Sequence, residues 1–490
     1  LTKTGDIPLR HFRLTTSALT LALLLAGCVH VPQDAGTARA PDFKAAQHAA
    51  AIELGPDAWP VERWWQDYRD PQLDRLIDQA LAGNPSLAVA AARVRIAGAQ
   101  LNAEQAAGAL QAGLETGINR QRYSANGFFP APIGGSWYTD TTLQGRIGYE
   151  VDWWGKHRAQ VAAAIGEQNA AAAQASQAQQ ALAASVAQSY FRLQLLWARA
   201  DNVAELVRVE RRLLQDRQAR LAHGLASVDV QRNIELELGK LAEQAALLET
   251  QAAREREALR ALVAAGPNDL AALEHRLPHN PQAALPRELG MELLARRPDL
   301  QAARWRVEAA LGRAAAAEAA FYPDLNLSGA VGLNAISLGK LLRGASRTFL
   351  AGAVLDLPLF DSGRLDANLG IARAERDALL AEYNESVLNA VRDVAAEGAT
   401  LQGIERELAA DAQTAQASTR LAASAEARLA RGLAERSSVL LAQLEVLRQR
   451  GAALQLQDAQ LQTQVALTRA LGGGYRAGPT DTAAVHASIR

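Results

Sequence analysis

His275 and His279 stand four residues apart, the spacing at which one turn of helix can offer two metal ligands. Pro278 lies between them and breaks the helix that such a pair needs. Gly339-Lys340 has the cation of a phosphate-binding loop but lacks the following Ser or Thr and the upstream Gly. No Gly-x-Ser-x-Gly elbow occurs, no two cysteines can pair, and one Met cannot line a copper path. The histidines therefore read as surface residues, and no catalytic constellation, metal or cofactor is expected. Charge adds an exclusion: 51 Lys and Arg against 52 Asp and Glu give a net charge of −1, so nucleic acid is not a default partner.

One thiol remains, at Cys28. Lys3, Arg10 and Arg13 precede an apolar run over 18–26, and Leu25-Ala26-Gly27-Cys28 follows. A positive flank, a short apolar core and small residues at the cut read as a signal peptide over 1–27, too short to span a bilayer. The tetrad resembles the bacterial lipobox, in which the Cys becomes the lipidated first residue. Val29, where lipoproteins kept in the inner membrane carry Asp, implies the outer membrane. No later segment reads as a transmembrane helix. Such a protein crosses as a β-barrel or hangs from its lipid.

The elements explain what these residues must position. Residues 28–64 carry Pro32, Pro41, Pro56 and Pro60 and read as a lipidated linker. A short amphipathic helix is expected over 73–81 and an Ala-rich helix over 87–111. Over 141–152 the chain alternates, with Leu143, Gly145, Ile147, Tyr149 and Val151 on one face and Gln144, Arg146, Gly148, Glu150 and Asp152 on the other. A weaker strand is expected over 114–124. Residues 156–222 hold no Pro and one Gly, Gly166, so they read as one long helix. It turns at Gly224 into a second helix over 229–265.

The plan then repeats. Asn84-Pro85-Ser86-Leu87 is answered by Arg297-Pro298-Asp299-Leu300, 213 residues on. Gly155 is answered by Gly363, and Gly224-Leu225 by Gly432-Leu433, both 208 residues on. Repeats over 65–270 and 271–475 follow, the second with strands near 325–334 and 348–357 and helices near 363–431 and 437–471. A tail over 476–490 reads as disordered. Four strands cannot close a barrel in lipid, where the smallest single-chain barrels have eight. Chains must share one. Two chains give eight strands and a filled interior, and three give twelve and an opening.

Trp64-Trp65-Gln66-Asp67, Asp70-Pro71-Gln72-Leu73-Asp74, Gly83-Asn84-Pro85-Ser86-Leu87, Asp152-Trp153-Trp154-Gly155-Lys156, Arg296-Arg297-Pro298-Asp299-Leu300, Ala320-Phe321-Tyr322-Pro323-Asp324-Leu325 and Leu471-Gly472-Gly473-Gly474-Tyr475 succeed one another in that order. Together with the duplication, this order resembles the TolC-like outer-membrane efflux channels, in their lipoprotein branch of OprM and NodT type. The resemblance implies an α+β membrane protein with an internal duplication. It implies a homotrimer sharing a twelve-stranded β-barrel, four strands per chain, with a long periplasmic α-helical barrel and an equatorial belt. The implied function is the outer-membrane channel of a tripartite efflux system, exporting drugs or other small molecules. Its partners would be a periplasmic adaptor (membrane fusion) protein, an inner-membrane pump and outer-membrane lipid. A type I protein-secretion conduit is the alternative within this class. A non-channel periplasmic coiled-coil adaptor is the alternative outside it, but it leaves two hairpins and the two-faced strand without a use.

Site expectations follow. Leu143, Ile147, Tyr149 and Val151 should face lipid, and Arg146, Glu150 and Asp152 should line the pore or its mouth, with Asp152 either in the strand or in the belt beyond it. The tips Gly224, Leu225, Gly432 and Leu433 should dock the adaptor. A periplasmic gate is expected among Asp229, Arg431, Glu435, Arg436 and Leu441, with Arg431 or Arg436 pairing Glu435 or Asp229 and Leu441 forming an apolar ring. Solvated pairs of this kind are worth roughly 0–1 kcal/mol each, and threefold repetition makes a breakable lock.

Overall fold

The computed structural model describes residues 31–34, 36, 59–225, 227–279 and 291–476. The expected signal peptide, Cys28, most of the expected linker and the residues from 477 on lie outside the described residues. A 3₁₀ turn at Trp64–Tyr68 leads to α1 (Pro71–Gly83) and α2 (Pro85–Ala107). Strands β1 (Gln111–Arg122) and β2 (Trp137–Val151) come next. Helices α3 (Lys156–Ala222) and α4 (Val228–Leu262) complete the first repeat. The second repeat has α5 (Met291–Arg296), α6 (Pro298–Ala319), β3 (Asp324–Ala335), β4 (Arg347–Asp356), α7 (Arg364–Ala430) and α8 (Arg436–Ala470). α3 and α7 have 67 residues each and α4 and α8 have 35 each, so the duplication is kept to the residue in the hairpins. At 1.5 Å per residue the longer helices reach about 100 Å. No described helix is long and apolar enough to cross a membrane.

The compact units are not the sequence repeats. Among the described residues, one unit holds 31–34, 36, 94–170 and 303–383, and the other holds 59–93, 171–225, 227–279, 291–302 and 384–476, so each draws on both repeats. The first unit contains one antiparallel sheet in the order β1-β2-β3-β4. Its central pairing, β2 with β3, joins the two repeats, with Val151 opposite Leu325 and Thr141 opposite Ala335. Beneath the strands α3 meets α6 at two glycines. A Cβ on Gly166 would lie 2.8 Å from the Ala309 nitrogen, and one on Gly312 would lie 2.8 Å from the Ala159 oxygen. Real Cβ contacts are longer, so only glycine lets these backbones approach so closely.

In the second unit, Trp64, Trp65, Tyr68, Leu73 and Ile77 pack into one core with Tyr190, Phe191, Leu193 and Leu259. A polar network runs through it. Asp70 caps α1 by accepting from the Gln72 nitrogen at 2.9 Å, and it also accepts from the Tyr190 hydroxyl at 2.7 Å. The amides of Gln72 and Gln194 both donate to the Glu274 carbonyl, at 3.3 and 2.9 Å. His275 stacks on Trp197 with ring centroids 4.2 Å apart. No group of His, Cys, Asp or Glu among the described residues could hold a metal.

The repeated Asn84 and Arg297 positions do equivalent work. Asn84 donates to the Leu262 carbonyl at the end of α4 at 2.7 Å. Arg297 donates to the Ala470 carbonyl at the end of α8 at 3.0 Å. Each repeat thus fastens its return helix to the start of its own short helix. The motif at 471–474 closes the chain by backbone shape. Gly472 has φ +97°, and a Cβ there would lie 1.9 Å from the Arg296 oxygen.

Candidate functional site

Register sorts the sheet into two faces, because residues directly opposed in an antiparallel pair share a side. Leu114 opposes Gly145, Gly145 opposes Val331, and Val331 opposes Phe349. Ile147 and Tyr149 fall on that side with Gly329 and Leu327. This apolar face is bare in the single chain, with Leu114 76% and Phe349 78% exposed. Strands of 10 to 15 residues meet the roughly 9–11 that a tilted membrane strand needs. β4 is apolar on both sides, for Leu350 and Val354 stand on the opposite face.

That opposite face is otherwise polar and internally paired. Arg146 bonds Glu115 at 2.5 Å, and Gln144 donates to Glu115 at 3.3 Å. Asn334 donates to Asp140 at 2.8 Å. Glu150 shares the Lys156 ammonium with Asp324, at 3.1 and 2.8 Å. Burial opposes the charge on Lys156, but its two hydrogen bonds outweigh that and raise its pKa. Asp152 lies just past the end of β2. It caps α3, accepting from the nitrogens of His157 and Arg158 at 3.1 and 3.0 Å. Its partial burial favours the neutral acid, but these bonds and the Arg158 guanidinium hold its pKa below the carboxylate range. Asp361 caps α7, accepting from the Leu365 nitrogen at 2.8 Å.

Aromatic residues mark both ends of the strands, a signal the alternation alone does not carry. Twelve of the 24 aromatic residues lie within 123–154 and 321–360. Trp154 stacks on Tyr322 at 4.6 Å where the strands meet the helices. Tyr123, Phe129 and Tyr138 cluster at the β1–β2 turn. Aromatic girdles at both rims are characteristic of membrane barrels.

The hairpin tips are near copies. Leu225 N donates to the Arg220 carbonyl at 2.9 Å and Gly224 N to the Leu221 carbonyl at 2.9 Å. Leu433 N and Gly432 N repeat this onto Arg428 and Leu429, at 2.8 and 2.9 Å. Both are Schellman turns, with Gly224 at φ +66° and Gly432 at φ +70°. In such turns the residue after the glycine usually packs back on its helix. Here Leu225 and Leu433 are 74% and 72% exposed.

Near the tips the structure distributes the expected gate residues differently from the sequence pairing. Glu435 bonds Arg220 of the first hairpin at 2.6 Å, not Arg431 or Arg436. The bond lowers the Glu435 pKa and raises that of Arg220. Asp229 bonds Arg232 one turn along at 3.8 Å. Leu441 is half exposed. A buried acid also went unseen in the sequence. Glu210 shares a cleft of α3, α4 and α8 with Lys240, Glu237 and Arg448, and burial pushes its carboxyl up.

The family model described as "Outer membrane efflux protein" matches the chain twice, over residues 76–265 and 289–473. The multidrug resistance outer membrane protein MdtP of Escherichia coli K12 is 37% identical over 474 residues, covering 95% of this chain and 97% of that one. The outer membrane protein VceC of Vibrio cholerae superposes with a TM-score of 0.77 at 31% identity, over 85% of this chain and 100% of that one. The outer-membrane channel OprN gives a TM-score of 0.80 at 26% identity, over 91% and 99%. A duplicated pair of strand hairpins and helical hairpins, a two-faced sheet and these matches agree: the chain belongs to the outer membrane efflux protein family, and it is an outer-membrane efflux channel.

Proposed function

We propose that three copies close their sheets into one twelve-stranded barrel and export drugs or other small molecules delivered by a periplasmic adaptor and an inner-membrane pump. The observation that carries this is the sheet itself. β1 and β4 each pair on one side only, one face is apolar and bare, and lipid leaves no edge unpaired. The polar face with Glu115, Gln144 and Arg146 then lines the lumen. Multidrug resistance stands in the name of MdtP, which favours small-molecule cargo over secreted protein.

In this reading Cys28 carries the lipid and the exposed Leu225 and Leu433 dock the adaptor. The charges around Glu435, with Asp229, Arg431, Arg436 and Leu441, close the periplasmic end. The test pairs a Cys in β1 at Thr116 with one in β4 at Ala351 and reads oxidative crosslinking beside planar-bilayer conductance. Crosslinked trimers with step conductance are expected. Monomers without conductance overturn the reading. Mass spectrometry of the mature N-terminus decides the lipid, since an unmodified Cys28 removes it. Leu225→Glu and Leu433→Glu should abolish resistance while trimers still form, and unchanged resistance removes the tips from the interface.

A further inference from the structure

We propose that the turn edge of the sheet binds a phosphate-bearing lipid headgroup of the outer leaflet, at a site completed where two copies meet. This rests on the closed-barrel reading above. The sheet has two ends of opposite character. Gln111, Val151, Asp324 and Asp356 stand at the end joined to helices, where Lys156 is held by Glu150 and Asp324. The other end has the turns 123–136 and 336–346.

At that turn end the charge is cationic. Arg120 lies on the apolar face of β1, two residues from Ile118, with its guanidinium 5.8 Å from the Trp137 ring. Arg347 opposes Leu333 and shares the face of Phe349. Lys340 and Arg343 follow in the β3–β4 turn, and all four are exposed. Among the described residues no carboxylate pairs with any of them, and the one acid nearby, Asp140, accepts from Asn334 on the other face. A charge on a lipid-facing surface is costly at mid-depth but tolerated near the interface. It is favourable there when the headgroups are anionic.

The β3–β4 turn adds a second, independent feature. Ile336, Leu338 and Leu342 are 59%, 63% and 83% exposed in a segment that also carries Lys340 and Arg343. Bare aliphatic side chains alternating with cations suit a membrane surface, with the apolar groups in the acyl layer and the cations at phosphate level. Topology then places the two halves together. β4 begins at the turn end with Arg347 and β1 reaches that end at Arg120, and both are edge strands. Closing the barrel sets Lys340, Arg343 and Arg347 of one copy beside Arg120 of the next, giving three equivalent cationic sites per trimer.

The experiment uses full-length trimers in neutral detergent, incubated with bis-phosphorylated lipid A or with the same lipid dephosphorylated. Retained lipid is counted after gel filtration. Wild type should retain the phosphorylated form at least about tenfold better, and rising salt should erase the difference. Arg120→Gln with Lys340→Gln, Arg343→Gln and Arg347→Gln should lose most of that discrimination. Lys340→Gln with Arg343→Gln alters the turn only and should lose part of it, so it decides the matter if the fourfold variant fails to assemble. Equal retention of both lipids, or variants that retain lipid like wild type, overturn the site. Full competition by inorganic phosphate also overturns it, by showing a free-anion site instead. Trimer mass and conductance on the same samples keep the two readings apart. Loss of trimers in wild type strikes the barrel, and intact trimers without lipid discrimination strike only this site.

Discussion

Gly166 and Gly312 allow one chemical change to be tried in opposite settings. Gly→Ala in a helix interior gains about 1 kcal/mol of propensity wherever it is made. At Gly239, in α4, no atom lies within 4 Å of the added Cβ, so Gly239→Ala should keep the whole gain. At Gly312 the methyl would lie 2.8 Å from the Ala159 oxygen and the Ala163 nitrogen, and 3.0 Å from the Ala163 Cβ. At Gly166 it would meet Ala309 and the Trp305 oxygen at 2.8 to 2.9 Å. The helices must separate by roughly half an ångström, and a gap of that size forfeits about a quarter of each dispersion contact along the crossing. Ala163, Ala309 and Ala310, all buried, lose most. Overpacking costs about 1–3 kcal/mol, so each change should destabilise by up to about 2 kcal/mol after the propensity gain. The difference from Gly239→Ala is then the overpacking cost itself, about 1–3 kcal/mol. The double variant should cost less than the sum, because the first methyl has already parted the helices. Melting of the helical circular dichroism signal in detergent, at one scan rate, measures this. If Gly312→Ala melts as high as Gly239→Ala, close helix approach is not what these glycines secure.

Four further outcomes are expected. Asp152→Ala should cost about 1 kcal/mol as a lost cap. Because its folded pKa is depressed, Asp152 stabilises above the unfolded value of about 3.9 and less as pH falls through the folded one, so an acid melt should lose this component in the variant. Asp34 is held at about 2 by hydrogen bonds from Arg376 and the Gly36 nitrogen. Its tie to α7 should therefore survive to about that pH, and Asp34→Asn should speed proteolysis of segment 31–36 at neutral pH. Arg297→Met removes the bonds to Ala470 and Asp299, while Asn84→Ala removes the one to Leu262 and the cap it gives the Ser86 nitrogen, and hydrogen exchange should show each change freeing the end of its own return helix and not that of the other repeat. Glu435→Arg should raise resting conductance, and adding Arg220→Glu should restore it by exchanging the charges, with high salt mimicking the single variant.

Much of this fold follows from period and punctuation. The Pro-free run after Gly155 and the glycines at 224 and 432 bound the hairpin helices to within three residues of their ends. Alternation located β2, but its first residues, Trp137 to Asp140, carry no apolar period. They extend the strand because β1 offers Asn119 to Arg122 to pair with them. Partners far apart in sequence were less accessible. Arg146 finds Glu115 only through register, and Glu435 finds Arg220 only because two hairpins pack. His275 is exposed, as its surface reading expects, and it also stacks on Trp197 next to Glu274, whose carbonyl Gln72 and Gln194 hold. No local pattern announces such a contact.

The near identity of the two hairpins gives the Arg220–Glu435 bond a meaning beyond its strength. A half-length chain with two strands and one hairpin would need six copies for twelve strands, and every copy would present the same residues. Fusion ends that constraint. Glu435 stands 208 residues after Ser227, and Arg220 stands 208 before Arg428. Ser227 caps α4 by accepting from the Asp229 nitrogen at 3.2 Å, and its hydroxyl offers no charge to Arg428. Arg428 turns back instead to the Ser424 carbonyl of its own helix. The Arg220–Glu435 pair therefore has no charged counterpart at the equivalent positions Arg428 and Ser227. In a trimer of such chains the charge pattern at the tips is threefold and not sixfold. Strict sixfold symmetry would require the same pairing at all six tips; the fused chain does not.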